Sequence, residues 1–240
     1  MAKYTAADVG FFLISGYDML GYTTKFEMNN DAKMEDTTVF GNTWAQQAPV
    51  NLREFSASHE AFYDDAALAS DVALRTQVGT NRIISIGLET NTQGKRFIGF
   101  EGPFESNYER KVSRGSLHKI AVTWGGSGLT DDGIISYPQG VISGAASNGT
   151  GTDNGALTST GLSCYFQLTS LTATNITMKI QHSTTDSAYV DLVTFAVLSA
   201  APGVSRVTVA TGTTINRWTR VLWTMTGGSA AAGMVGIARK

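Results

Sequence analysis

Charge, cysteine and proline are all scarce in this 240-residue chain. Charged residues make up 16% of it, and 18 Lys+Arg against 20 Asp+Glu leave a net charge of -2. That balance argues against a protein that neutralises phosphates or coats an anionic membrane, since both need a basic surface. The single cysteine, Cys164, excludes an intrachain disulfide, and a metal site would have to come from carboxylates and three scattered histidines. No apolar run approaches the ~20 residues that span a bilayer, so no membrane partner is expected. Near the amino terminus the apolar run Phe11 to Ile14 is too short for a secretory signal, which leaves the cytoplasm as the expected place of synthesis.

What is present points to strands. The chain is 42% hydrophobic and 10% aromatic, which is globular composition. Glycine is abundant at 26 residues, and 30 Thr and 20 Ser accompany few Leu and Glu, a balance that favours β-structure. Charge is uneven: residues 1–136 carry 12 Lys+Arg and 17 Asp+Glu, whereas residues 137–240 carry 6 and 3. Beyond Ser136, the stretch Ser143 to Gly161 is charged only at Asp153 and dense in Gly, Ser, Thr and Asn, the composition of a linker or long loop. The expected organisation is therefore an arm at 1–19, a first domain at 20–136, a linker or loop at 137–160 and a second domain at 161–240.

In the first domain, Thr23–Met28 and Asp36–Gly41 read as short strands around a protruding polar tip, Asn29–Glu35. Asp64 or Asp65 is a good N-cap, and apolar residues at three-and-four spacing up to Gly79 predict one helix over about 65–78. Arg82–Glu89, Lys95–Glu101 and Leu117–Trp124 read as strands, the first two joined by a hairpin turn. The second domain is strand after strand, in LSCYFQL, ITMKIQH, YVDLVTFAV, SRVTVAT, NRWTRVLWTM and GMVGIARK. Polar and apolar residues alternate in MKIQH and RWTRVLW, the habit of an antiparallel β-sandwich. The fold class is mainly β with one α-helix.

No catalytic pattern survives inspection. Gly125–Leu129 lacks the last glycine of a serine-nucleophile elbow, and Gly94-Lys95 is followed by Arg96 where a phosphate loop has Ser or Thr. Gly149–Gly155 has the wrong glycine spacing for a dinucleotide site. Asp64-Asp65 and Asp131-Asp132 read as caps and turns, and His59, His118 and His182 lack ligand spacing. The aromatics Trp44, Phe55, Phe62, Tyr63, Phe97, Phe100, Phe104 and Tyr108 read as core or subunit-contact residues rather than a stacking platform. An enzyme is not expected, nor any cofactor.

A resemblance sharpens the structural reading. From Tyr22 to Asp65 a strand TTKFEMN is followed by an acidic DTTVFGNTW, a loop through Leu52 and Phe55, and AFYDD leading into the helix. This order resembles the major tail tube proteins of long-tailed, siphovirus-like bacteriophages, as do IQHSTTDSAYVDLVTF, GTTINRWTRVLW and GMVGIAR near the carboxy terminus. The resemblance implies a tail-tube β-sandwich or barrel-forming domain followed by a second β-sandwich region, of decoration or ring-wall type. It implies a virion tail protein, made in the host bacterial cytoplasm, that assembles into stacked, usually hexameric rings whose inner sheets join edge to edge. Its partners would be copies of itself, the tape measure protein, and tail terminator and initiator proteins, with DNA passing through the lumen without specific binding. Candidate subunit or inter-ring contacts are Phe11, Phe12, Leu13, Asn30, Asp31, Lys33, Trp44, Leu52 and Phe55. Candidate acidic lumen residues are Glu27, Glu35, Asp36, Glu89 and Glu101. The alternative is a carbohydrate-binding β-sandwich or a decoration protein, although Trp218 and Trp223, five apart on one strand, would face opposite sides.

Overall fold

The computed structural model describes residues 9–36, 44, 47–75, 78–126 and 130–240. In chain order the elements are β1 (Phe11–Ile14), β2 (Tyr17–Asp18), β3 (Thr23–Asp36), β4 (Gln47–Phe62), helix α1 (Ser70–Arg75), β5 (Asn81–Gly87), β6 (Arg96–Lys111) and β7 (Lys119–Gly126). There follow β8 (Thr130–Ser143), β9 (Ala146–Asn148), β10 (Thr152–Asp153), β11 (Leu162–Leu171), β12 (Asn175–Ser183), β13 (Val190–Thr194), β14 (Gly203–Val209), β15 (Trp218–Thr226) and β16 (Ala230–Arg239). Among the described residues the fold is mainly β with one short helix, as the sequence predicts, and no sheet closes into a barrel.

The chain divides into two compact units at places other than the charge distribution suggests. One comprises Met1–Gly21, Ile83–Phe100 and Thr130–Lys240, the other Tyr22–Arg82 and Glu101–Leu129. In the first unit, antiparallel strands run in the order β14-β11-β16-β8-β6-β5-β1-β2, and a second sheet runs β10-β15-β12-β13 with β9 beside β15. Leu162, Cys164, Phe166 and Leu168 of β11 and Val235 and Ile237 of β16 pack against Ile176, Met178 and Ile180 of β12 and Val221, Trp223 and Met225 of β15. This is the β-sandwich expected from the alternation. The other face of β11 is also covered, with Tyr165 in a second core beside Phe11, Leu13, Phe97, Ile135 and Met234. The larger sheet curls enough for Gly16, beside β2, to donate its N–H to Gln167 of β11 at 2.6 Å.

Two expectations fail here for physical reasons. The predicted linker at 137–160 is instead largely strand. β8 runs to Ser143 and pairs with β16, Gly144 turns with φ 88°, and β9 and β10 both pair with β15. Small polar residues suit a strand whose hydrogen bonds come from its neighbours as well as they suit a loop. The predicted arm, in its described part, contributes to this unit's core: Phe11, Phe12, Leu13 and Ile14 are each at most 2% exposed, and β1 pairs with β5 from Phe11↔Gly87 to Ile14↔Ile84.

The second unit is an antiparallel sheet in the order β3-β4-β7-β6, to which β6 contributes from Glu101 onward, with α1 packed against β7. The helix is shorter than 65–78 because Leu68 has a left-handed backbone, φ 67°, that an α-helix cannot pass through. Asp64 organises the approach rather than capping the helix. Its carboxylate accepts from the Ala66 N–H at 2.9 Å, and Ser70 Oγ donates to Phe62 O at 2.5 Å. Cross-strand partners place Ala61 beside Ile120, His59 beside Val122 and Ala57 beside Trp124, all buried.

Candidate assembly edges

The polar tip expected at Asn29–Glu35 is instead the continuation of one 14-residue strand, β3, paired with the 16-residue β4 from Thr23↔Ala61 to Asp36↔Gln47. Fourteen residues span roughly 45 Å at strand rise. β7 covers β4 only between Phe55 and Phe62, so Gln47–Glu54 pair with β3 alone among the described strands. A two-stranded ribbon of this kind is marginal in water unless something packs on it. The sheet of this unit thus has two open sides among the described residues: β3, which pairs only with β4, and Asn107–Lys111 of β6, which pair only with β7. Long open edges offer rows of backbone donors and acceptors to another chain.

One face of this sheet is mostly polar, with Phe62 at its end beside Lys119. By register it carries Lys25, Glu27, Asn29, Ser56, Ser58, Glu60, Lys119, Ala121, Thr123, Asn107, Glu109 and Lys111. Most of its charges are matched within the chain, and Glu109 accepts from the Asn107 amide at 3.0 Å. Lys25 pairs with Glu27 at 2.9 Å, and Lys111 and Lys119 both reach Glu60, at 3.2 and 3.8 Å. The hydrogen bond and charge of Lys111, foremost, hold the Glu60 carboxyl below its usual range. The opposite face buries Ala57, His59, Ala61, Ile120, Val122 and Trp124 and meets α1. There Tyr108 OH and Arg110 both donate to Asp71, Arg110 at 2.8 Å, and Arg75 lies 3.3 Å from the same carboxylate. Burial works to raise the Asp71 pKa, but these donors outweigh it and the net shift is downward.

The residues singled out from the sequence scatter over both units. Phe11, Phe12 and Leu13 lie in the first unit's core, and Phe55 is 4% exposed in the second, so none of these side chains is available to another subunit. Apolar residues on a short run are worth more inside their own chain than on its surface. Trp44 is 84% exposed. Asn30, Asp31, Lys33 and Glu35 lie on β3 and Leu52 on β4, with side chains outside the described set. Glu27 lies on the polar face, Asp36 is exposed at the far end of β3, Glu101 is exposed on β6, and Glu89, in the first unit, pairs with Lys95 at 3.1 Å. The five acidic candidates therefore share no single face. The sequence missed the buried Glu105, whose only signal is its place in an otherwise exposed stretch of β6.

Two grooves were weighed as ligand sites. In the first unit, a cavity of about 430 Å³ is lined by Arg96, Asp132, Asp153 and Arg239 among others, but each charge is already committed. Asp132 lies 3.6 Å from Arg96, Arg217 clasps Asp153, and Arg239 donates to the carbonyls of Ala156 and Asn216. A second, of about 520 Å³, is lined by Glu60, Phe62, Lys111, Leu117 and Lys119, its two lysines both engaged by Glu60. Among the described residues no group of three or more His, Cys, Asp or Glu could hold a metal ion.

No protein-family model and no curated protein matches the chain. Among solved structures it is similar to a chain in the virion of a native gene transfer agent particle, at 12% identity and TM-score 0.40, covering 54% of this chain and 98% of that one. It is also similar to a chain in the C6-symmetric tail of an empty gene transfer agent particle, at 13% identity and TM-score 0.34, covering 45% and 80%. A third is the Dit protein of SPP1, described as a hub adsorption apparatus in phages that infect Gram-positive hosts, at 12% identity and TM-score 0.35, covering 95% and 98%. Likenesses at this level do not carry a role over to the chain.

Proposed function

We propose that this protein is a non-enzymatic structural subunit of a phage-type virion tail, and that copies join edge to edge through the four-stranded sheet of the second unit. The observation that carries this reading is the pair of open sheet edges, β3 and Asn107–Lys111, on one four-stranded sheet that also bears a two-stranded ribbon. Pairing β3 of one copy with β6 of the next would satisfy both edges and extend the sheet around a ring. Because this contact is heterologous, it closes into a ring or continues as a filament. The resemblance of Tyr22–Asp65 to tail tube proteins supports rings that stack into a conduit, with the ribbon reaching a neighbouring ring and tape measure, terminator and initiator proteins as further partners.

In this reading the polar face lines the conduit. Its suitability for passing DNA comes less from acidity than from inertness: three lysines and three glutamates balance, and Ser56, Ser58, Ala121 and Thr123 are small. A surface with no net positive charge gives a phosphate backbone no counterions to displace. The test is negative-stain electron microscopy of the purified protein over rising concentration, with sizing chromatography alongside. Hollow rings or stacked tubes are expected; a monomer at every concentration, with tail initiation proteins added, would contradict the reading.

A further inference from the structure

Glu105 is a buried acid of the second unit that the assembly reading leaves unused. It is 0% exposed, and among the described residues neither carboxylate oxygen has a hydrogen-bond partner and the side chain makes no ion pair. A buried polar group in this state costs free energy, and an ionised one costs far more. Its cross-strand neighbour on β7 is Trp124, also 0% exposed, whose indole N–H likewise lacks a partner. The position is structurally marked as well. The β6–β7 register slips between Glu105 and Asn107, a bulge that turns the strand where its open edge begins, and the Glu105 carbonyl accepts from the Gly79 N–H at 2.7 Å.

We propose that Glu105 is a protonation-controlled latch at the root of the β6 edge, seated in the core as the neutral acid and loosening Asn107–Lys111 when it ionises. The other charged and titratable groups on the elements of this unit have commitments of their own. From β5 comes Arg82, 3% exposed, with its guanidinium donating to Ala73 O at 2.8 Å. From α1 comes Asp71, committed to Tyr108 and Arg110 of β6 and to Arg75; from β4 comes His59, bonded to Thr23 at 2.9 Å; from β7 comes the uncharged Trp124. Burial pushes the Glu105 carboxyl up to about 7, against an opposing pull from Arg82. A folded-state value above the unfolded one means the folded chain keeps a proton that the unfolded chain releases. The stabilisation is therefore complete below about 4.5 and is lost as the pH rises to about 7. His59, lowered from 6.5 to about 4 by burial, acts in the opposite sense over much of this range, so the two offset each other in a whole-protein melt.

The comparison that isolates Glu105 is wild type against E105Q, which keeps the shape and removes the titration. Between pH 5 and pH 8.5 the wild-type Tm should fall relative to that of E105Q by roughly 5–10 °C. Hydrogen-exchange protection of Asn107–Lys111 should drop over the same interval in wild type only. Parallel pH profiles, or a loss of protection confined to other strands, would overturn the proposal. Should E105Q fail to fold, the side-chain carboxyl 13C shift of Glu105 in wild type decides the matter, because a midpoint near the ordinary glutamate value would also overturn it. The link to assembly rests on the edge pairing proposed above and is read separately, by sedimentation at pH 5.5 and 8.5. A chain that never assembles but shows the exchange difference would refute the edge reading and leave the latch standing.

Discussion

Asp131 of the first unit and Glu105 of the second are buried acids treated in opposite ways. In the first, Tyr165 OH donates to Asp131 at 2.5 Å, and Arg206, with a side chain 8% exposed, donates to the same carboxylate at 3.0 Å and to Ser163 Oγ at 3.1 Å. Gln167 uses its carbonyl on Gly16 N–H and its amide on Ile83 O and Ser85 Oγ. Both faces of the central strand β11 are thus closed, one by the sandwich core and one by a hydrogen-bonded network. Among the described residues the second unit keeps a polar face and two sheet edges open and buries Glu105 without a hydrogen-bond partner. A hydrogen-bonded network favours one arrangement, whereas open edges and an unbonded acid suit a part that mates and responds. The first unit reads as scaffold and the second as the assembling element.

This contrast can be broken at several points. The largest effect is expected from deleting residues 1–19, which removes β1 and the core side chains Phe11 to Ile14. The cooperative thermal transition of the first unit should vanish, and a melt unchanged from wild type would refute the core role of β1. Next, D131A leaves Arg206 buried without its carboxylate and should cost about 3–5 kcal/mol in denaturant unfolding. G99A should cost about 1–3 kcal/mol in the same assay, because a Cβ there would stand 2.6 Å from the Tyr165 ring. The smallest change should be D153N. Its carboxyl is held down at about 2 chiefly by the hydrogen bond from Arg217, yet the pair is solvated and the denaturant midpoint should stay at the wild-type value. In the second unit one contribution should depend on acid. His59 is neutral when folded, so its own contribution is lost as the pH falls from 6.5 towards 4, and the wild-type Tm should fall relative to that of H59Q over that interval; parallel profiles would contradict it.

Much of this architecture was legible in the sequence, unevenly. Strands β11, β12, β15 and β16 follow the runs LSCYFQL, ITMKIQH, NRWTRVLWTM and GMVGIARK closely, because cross-strand packing reinforces the local pattern. What misled was context. Asn29–Asp36 is polar enough to resemble a tip, but pairing with β4 along its whole length makes it strand. Gly, Ser and Thr between β8 and β11 resemble a linker until their pairing with β15 and β16 is seen. The division into units could not be read from charge, since each is assembled from segments distant in sequence. Of the site, the first half of β3 was visible in TTKFEM, but its partner is β4 and the expected partner strand Asp36–Gly41 lies beyond Asp36 outside the described residues. The β6 edge and Glu105 depend on which strands lack neighbours, and no local pattern encodes that.

The most direct test of the central claim is disulfide trapping between copies. Cys164 is the only native cysteine and is buried, with burial holding its thiol far above the usual range, so introduced thiols would react alone. Exposed positions Thr24 or Glu27 on β3 would be replaced by cysteine in combination with Asn107 or Glu109 on β6, and the protein oxidised under assembly conditions. The account predicts a covalent ladder extending beyond the dimer for at least one combination, with neither single variant alone passing the dimer. Efficient cross-linking through single positions only, or none in any combination while rings or tubes are visible, would contradict edge-to-edge assembly through β3 and β6.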